Sequence, residues 1–127
     1  MTQPDPNLLS RRERQIVDIL YEIGEGAVAD VQERLPDPPS YSSVRAMLAK
    51  LERKGHIQHF EKGLRYVFRP VIPKTTARDR AVDRMIRTFF DGSVSQAING
   101  LLGRSAGKLS AEELEELRHR IEESSQE

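Results

Sequence analysis

The stretch SYSSVRAMLAKLERKG, residues 40–55, has two faces of opposite chemistry. At 100° per residue, Tyr41, Val44, Met47, Leu48 and Leu51 fall within an arc of about 120°, a stripe of large side chains that a core can bury. Ser42, Ser43, Arg45, Ala46, Ala49, Lys50 and Arg53 fall on the other side, small residues interleaved with cations. Ser40 is a good N-cap and Gly55 a natural stop. A helix of that length spans about 22 Å and fits a major groove about 12 Å wide. Its outward residues suit that place. The Ser42 and Ser43 hydroxyls can bond base edges or phosphates. Ala46 and Ala49 permit close approach. Arg45 can grip a guanine or a phosphate, and Lys50 and Arg53 suit phosphates. Taken alone, the same face also reads as the wet side of any surface helix. The neighbouring segments decide between the two.

Upstream, Ser10 and Glu13 form an S-x-x-E capping box. Ile16, Ile19, Leu20 and Ile23 follow at helical spacing and Gly24 ends the run. A second short helix is predicted from about Val28 to Arg34, with Val31 and Leu35 facing inward. Pro36-Asp37-Pro38-Pro39 closes it, because proline cannot continue a helix. Downstream, Ile57–Phe60 and Arg65–Arg69 are rich in aromatic and β-branched residues, with Glu61-Lys62-Gly63-Leu64 between them. This predicts a β-hairpin with a basic tip. Lys62 and Arg65 at that tip read equally as a wing on the phosphate backbone or as solubilising charge. Pro70 and Pro73 end the unit. Three helices and then a hairpin is the order of a winged helix.

The remainder is helical. Thr76-x-x-Asp79, Ser93-x-x-Gln96 and Ser110-x-x-Glu113 are three further capping-box signals. Val82, Met85, Ile86, Phe89 and Phe90 share one face, as do Val94, Ala97, Ile98, Leu101 and Leu102, while Leu114, Leu117 and Ile121 mark the last helix. Short amphipathic helices bury little by themselves. A second copy of the chain is the favoured cover, with Met85, Ile86, Phe89, Phe90, Ile98, Leu101, Leu102 and Leu117 as its contacts; folding back on the N-terminal unit is the alternative. The fold class is therefore mainly α with a small β-hairpin. The expected organisation is a disordered lead at 1–9, a winged helix-turn-helix domain at 10–73 and a helical dimerisation domain at 74–127.

Charge and composition fit this plan. Between Ser40 and Arg69 seven cations face two acids, whereas Ser110–Glu127 holds seven acids and two cations, in a chain of zero net charge. A local basic stretch is compatible with an anionic partner and also with an ordinary solvated face. With 37% hydrophobic and 31% charged residues the chain reads as soluble and helix-rich, with a modest core that oligomerisation supplements. No apolar run is long enough to span a bilayer and the polar start carries no secretory pattern, so no membrane insertion and a cytoplasmic location are expected. The absence of cysteine excludes disulfides, thiolate metal sites and cysteine nucleophiles. His56, His59 and His119 lack ligand spacing, and no carboxylate partner can be assigned to them from the sequence. There is no phosphate-cradling glycine loop and no nucleophile elbow. Neither an enzyme nor a cofactor is indicated.

The segment PSYSSVRAMLAKLERKGHI with FEKGLRYVFRP resembles the recognition helix and wing of the BlaI/MecI family of penicillinase repressors. LSRRERQIVDILYEIGEGAVADV resembles that family's first two helices, and the part ending in LSAEELEELRHRIEE its dimerisation region. The resemblance runs from about Leu8 to Ser124. It implies a homodimeric repressor on a palindromic double-stranded DNA operator, with Ser42, Ser43, Arg45 and Ala46 at the family's recognition positions. It also implies, as a partner, a membrane metalloprotease sensor or its downstream protease, which triggers cleavage in the best-known members. This chain departs from the family's cleavage pattern: Asn99 is followed by Gly100 and not by a large apolar residue. It also lacks the cysteine cluster of the copper-responsive relatives. The runner-up function is a winged-helix protein-interaction module that does not bind DNA.

Overall fold

The computed structural model describes residues 8–125. They form α1 (Arg11–Ile23), α2 (Val28–Arg34), α3 (Tyr41–Arg53), the antiparallel strands β1 (Ile57–Lys62) and β2 (Arg65–Pro70), α4 (Lys74–Phe89), α5 (Val94–Arg104) and α6 (Ala111–Ser125). This is a winged helix followed by a helical region. The chain divides into two compact units, 1–79 and 80–127.

Local chemistry sets most helix ends. In α1 the capping box is reciprocal: Glu13 N–H donates to Ser10 Oγ at 3.2 Å, and Ser10 N–H to Glu13 Oε1 at 2.9 Å. Gly24 ends the helix at φ 86°, its N–H donating to Leu20 O at 2.8 Å. The Asp30 carboxylate accepts from Ala27 N–H at 2.9 Å at the head of α2. Ser40 Oγ accepts from Ser43 N–H at the head of α3, and the Ser110–Glu113 box is reciprocal at α6. The expected Thr76–Asp79 cap is not one. The helix already starts at Lys74 and Ala77 N–H donates to Pro73 O, so Thr76 lies within its first turn. Pro73 sets this end, because its fixed φ suits helix entry and its missing N–H is no loss there.

The core of the first unit joins Ile16, Val17, Ile19 and Leu20 of α1, Val28 and Val31 of α2, Val44, Leu48 and Leu51 of α3, and Ile57 and Phe68 of the hairpin. The arc read for α3 is narrower than expected. Val44, Leu48 and Leu51 are fully buried, whereas Met47 is half-buried and Tyr41 is 52% exposed. Both lie at the edges of the arc, and Tyr41 is also on the first turn, where little covers it. Leu9, expected within the lead, is buried in the core. Residues 1–7 of that lead lie outside the described residues.

The hairpin is tighter than its sequence suggested. Strand pairing runs from Ile57↔Pro70 to Lys62↔Arg65, so Gly63 and Leu64 alone make the turn. Gly63 takes φ 69°, a value that a two-residue turn of the II′ kind asks of its first residue and that glycine meets without strain. A further contact has no periodic signature. Gly26, between α1 and α2, bridges Phe68 of β2, with N–H···O distances of 2.9 and 2.8 Å in the two directions. A Cβ at Gly26 would lie 2.8 Å from Ile23 Cδ1, so the close approach uses a residue without a side chain.

Candidate nucleic-acid interface

All nine residues read as DNA-facing are exposed: Ser42, Ser43, Arg45, Ala46, Ala49, Lys50 and Arg53 on α3, and Lys62 and Arg65 on the hairpin. The burial of Val44, Leu48 and Leu51 turns the opposite side of α3 to solvent. Arg45 and Ala49 of α3 and Arg65 of β2 line one open groove of about 560 Å³, together with Tyr41, Leu64, Tyr66 and the first residues of α2. Lys62 is the cross-strand partner of Arg65, at the end of the hairpin where Leu64 is fully exposed.

The loop before α3 is held from two sides. Arg12 of α1 donates to Pro36 O at 2.6 Å and to Asp37 O at 2.9 Å, and Gln32 of α2 donates to Pro39 O at 3.0 Å. Asp37 takes φ 46°, a left-handed conformation that aspartate tolerates better than most residues. The Pro-rich stretch is therefore a fixed lead into the first turn of α3.

Two acids stand among these cations, and neither was singled out from the sequence. Glu25, next to the bridged Gly26, accepts from Lys62 Nζ at 2.9 Å. Glu52 of α3 accepts from the backbone N–H of His59 at 2.7 Å and lies 2.6 Å from its Nδ1. His59 thus has a carboxylate partner, and its ring meets Tyr66 edge-on with centroids 5.2 Å apart. Glu25 is 37 positions from Lys62 and Glu52 is seven from His59. These separations follow no local spacing rule, so only tertiary structure pairs them. Arg45, Lys50, Arg53 and Arg65 make no such ion pair among the described residues.

A buried carboxylate links the start of α1 to the end of α3. Lys54, at the end of α3, donates to both oxygens of Glu13, each at 3.0 Å, while the Glu13 side chain is only 4% exposed. Burial raises the carboxyl pKa, but the Ser10 N–H and Oγ and the Lys54 ammonium outweigh it and hold the group below its ordinary value. No set of three potential metal ligands occurs among the described residues.

A family model described as penicillinase repressor matches residues 9–123. The chain belongs to the penicillinase repressor family. No match is found among the curated proteins. Membership points to a DNA-binding transcriptional repressor. The second unit of the chain is sparsely buried. Ala97 is its one buried hydrophobic among the described residues. Of the residues expected to join two copies, Met85, Ile86 and Phe90 are half-buried within one chain, Phe90 packing its ring toward Gly100 of α5. Phe89 is 78% exposed, and Ile98, Leu101, Leu102 and Leu117 are exposed as well. No helix among the described residues is long and apolar enough to cross a membrane.

Proposed function

We propose that this chain binds a palindromic operator as a homodimer, with α3 in the major groove and the hairpin on the flanking backbone. The observation that carries the reading is the outward face of α3. Arg45, Lys50 and Arg53 are exposed there without an ion pair among the described residues, and small Ala46 and Ala49 beside them let the helix backbone approach base edges. Exposed cations without internal partners suit phosphates, which supply most sequence-independent affinity. Ser42 and Ser43 fit backbone or base contacts at the entering turn. Two copies joined through their second units set two such helices about 34–36 Å apart, on successive major-groove faces.

Within this reading Arg45 is the base-reading residue. Val44 and Leu48 fix the helix phase, so Arg45 leaves the core on the far side and lines the groove between α3 and the hairpin. An Arg–guanine pair is worth roughly 1–3 kcal/mol of discrimination. Arg45→Ala is therefore expected to relax preference at one base pair in each half-site. The test is binding of both proteins to single-base variants of an operator selected from genomic fragments. A mutant that keeps the wild-type ranking of those variants, with lower affinity for all of them, shows a phosphate contact in place of base readout. A protein that retards no genomic fragment even at low salt leaves the winged helix as a protein-interaction module.

A further inference from the structure

We infer that Glu25 is an internal competitor for DNA: it holds the wing lysine, Lys62, away from the phosphate backbone and so lowers sequence-independent binding. The inference rests on the DNA-binding reading above and goes beyond it by assigning an acid a role at the interface. Four observations carry it. Lys62 Nζ lies 2.9 Å from Glu25 Oε2, at the end of the hairpin where a phosphate contact is otherwise expected. The position of Glu25 is set by the main chain, because the next residue, Gly26, is bridged in both directions to Phe68 of β2. The paired hairpin then fixes Lys62 relative to the same strand. Arg65, its cross-strand neighbour, has no ion pair among the described residues. One wing cation is thus engaged and the other is open.

The physical consequence is one of specificity. Phosphate contacts raise affinity for every sequence, whereas base contacts raise it for one. A repressor must find its site among a vast excess of non-specific DNA, so the ratio of the two affinities matters more than either. A carboxylate that occupies Lys62 removes one sequence-independent contact and leaves the α3 contacts untouched.

The experiment is a salt titration of binding to a fluorescent duplex of random sequence, with wild type, Glu25→Gln, Lys62→Gln and the double variant, each checked for wild-type circular dichroism. The slope of log K against log salt falls by about 0.9 for each phosphate neutralised. Glu25→Gln is expected to bind more tightly at low salt and to steepen that slope by about 0.9, so that its loss of affinity between 50 and 200 mM salt is roughly 3.5-fold greater than that of wild type. Lys62→Gln in the native background should leave the slope nearly unchanged, and the double variant should match it. A Glu25→Gln slope equal to wild type overturns the inference. So does a gain that survives in the Lys62→Gln background, since Glu25 then acts by repulsion at a distance. If neither wild type nor Glu25→Gln binds the duplex at low salt, the DNA-binding reading itself falls, an outcome distinct from an unchanged slope in a protein that binds.

Discussion

Phe89→Ala is expected to raise the dimer dissociation constant about a hundredfold while leaving the N-terminal unit folded. In the single chain Phe89, at the end of α4, is 78% exposed, so truncating it removes little from the fold of one copy. In the proposed dimer the ring is covered. Deleting a buried phenylalanine ring then costs about 3 kcal/mol at the lower end of the usual range, roughly a hundredfold in affinity. The rest of the second unit makes the same demand. Ile98, Leu101 and Leu102 on α5 and Leu114, Leu117 and Ile121 on α6 are all exposed in one copy, and Ala97 alone is buried there among the described residues. Monomeric soluble proteins rarely carry so extended an apolar surface. Sedimentation equilibrium over a range of concentrations measures the effect, and thermal melts followed by circular dichroism report on the first unit. A wild type that sediments as a monomer at micromolar concentration removes the dimer from the proposal. Equal dissociation constants for wild type and Phe89→Ala remove the ring from the interface.

Lys54→Met is expected to destabilise the winged-helix unit by about 2 kcal/mol at neutral pH. Removing one partner of a buried pair leaves an uncompensated charge, here the Glu13 carboxylate, at a cost of roughly 3–5 kcal/mol when both groups are buried. Lys54 is itself about one-third exposed, at 32%, so solvent takes part of its role and the figure is reduced. Glu13→Gln tests the same pair from the other side. The amide still accepts from Ser10 N–H but no longer presents a charge to Lys54. Its dependence on pH follows from the sign of the shift. The Glu13 pKa in the folded chain lies below its ordinary value of 4.5, so the charged form favours folding. That contribution is complete above the ordinary value and is lost as pH falls through the lowered one. Wild type should therefore be more stable than Glu13→Gln at neutral pH, and the gap should close under acid. Urea unfolding of both proteins at neutral pH and near pH 3 provides the measurement. A gap of equal size at both pH values would show that the charge of Glu13 contributes nothing.

Tertiary structure explains why some of this was legible in advance and some was not. Helix ends were readable where the chemistry is local. Ser10–Glu13, Gly24, Ser40 and Ser110–Glu113 lie within a turn of the groups they cap, so neighbouring residues suffice. The winged-helix order was readable because the hydrophobic period changes from helical to alternating after Gly55. The outward side of α3 was readable because one stripe of large residues leaves only one side for the cations. Tyr41 shows the limit of that argument. Periodicity assigns an angle around the helix axis and says nothing of what packs there, and at the edge of the arc Tyr41 is left half exposed.

The sequence by itself determined the elements, their order, the buried side of α1, α2 and α3 and the candidate residues of α3. Each of these depends on side-chain chemistry and on spacings shorter than about two helical turns. Tertiary structure alone decided the Gly26–Phe68 bridge, the Arg12 clamp on Pro36 and Asp37, the burial of Glu13 against Lys54, and the pairs Glu25–Lys62 and Glu52–His59. A charge in a sequence is free to pair with any opposite charge that the fold brings within a few ångströms. Which one it meets is set by how helices and hairpin pack, and that packing follows from the shapes of the buried apolar residues, not from the charges themselves.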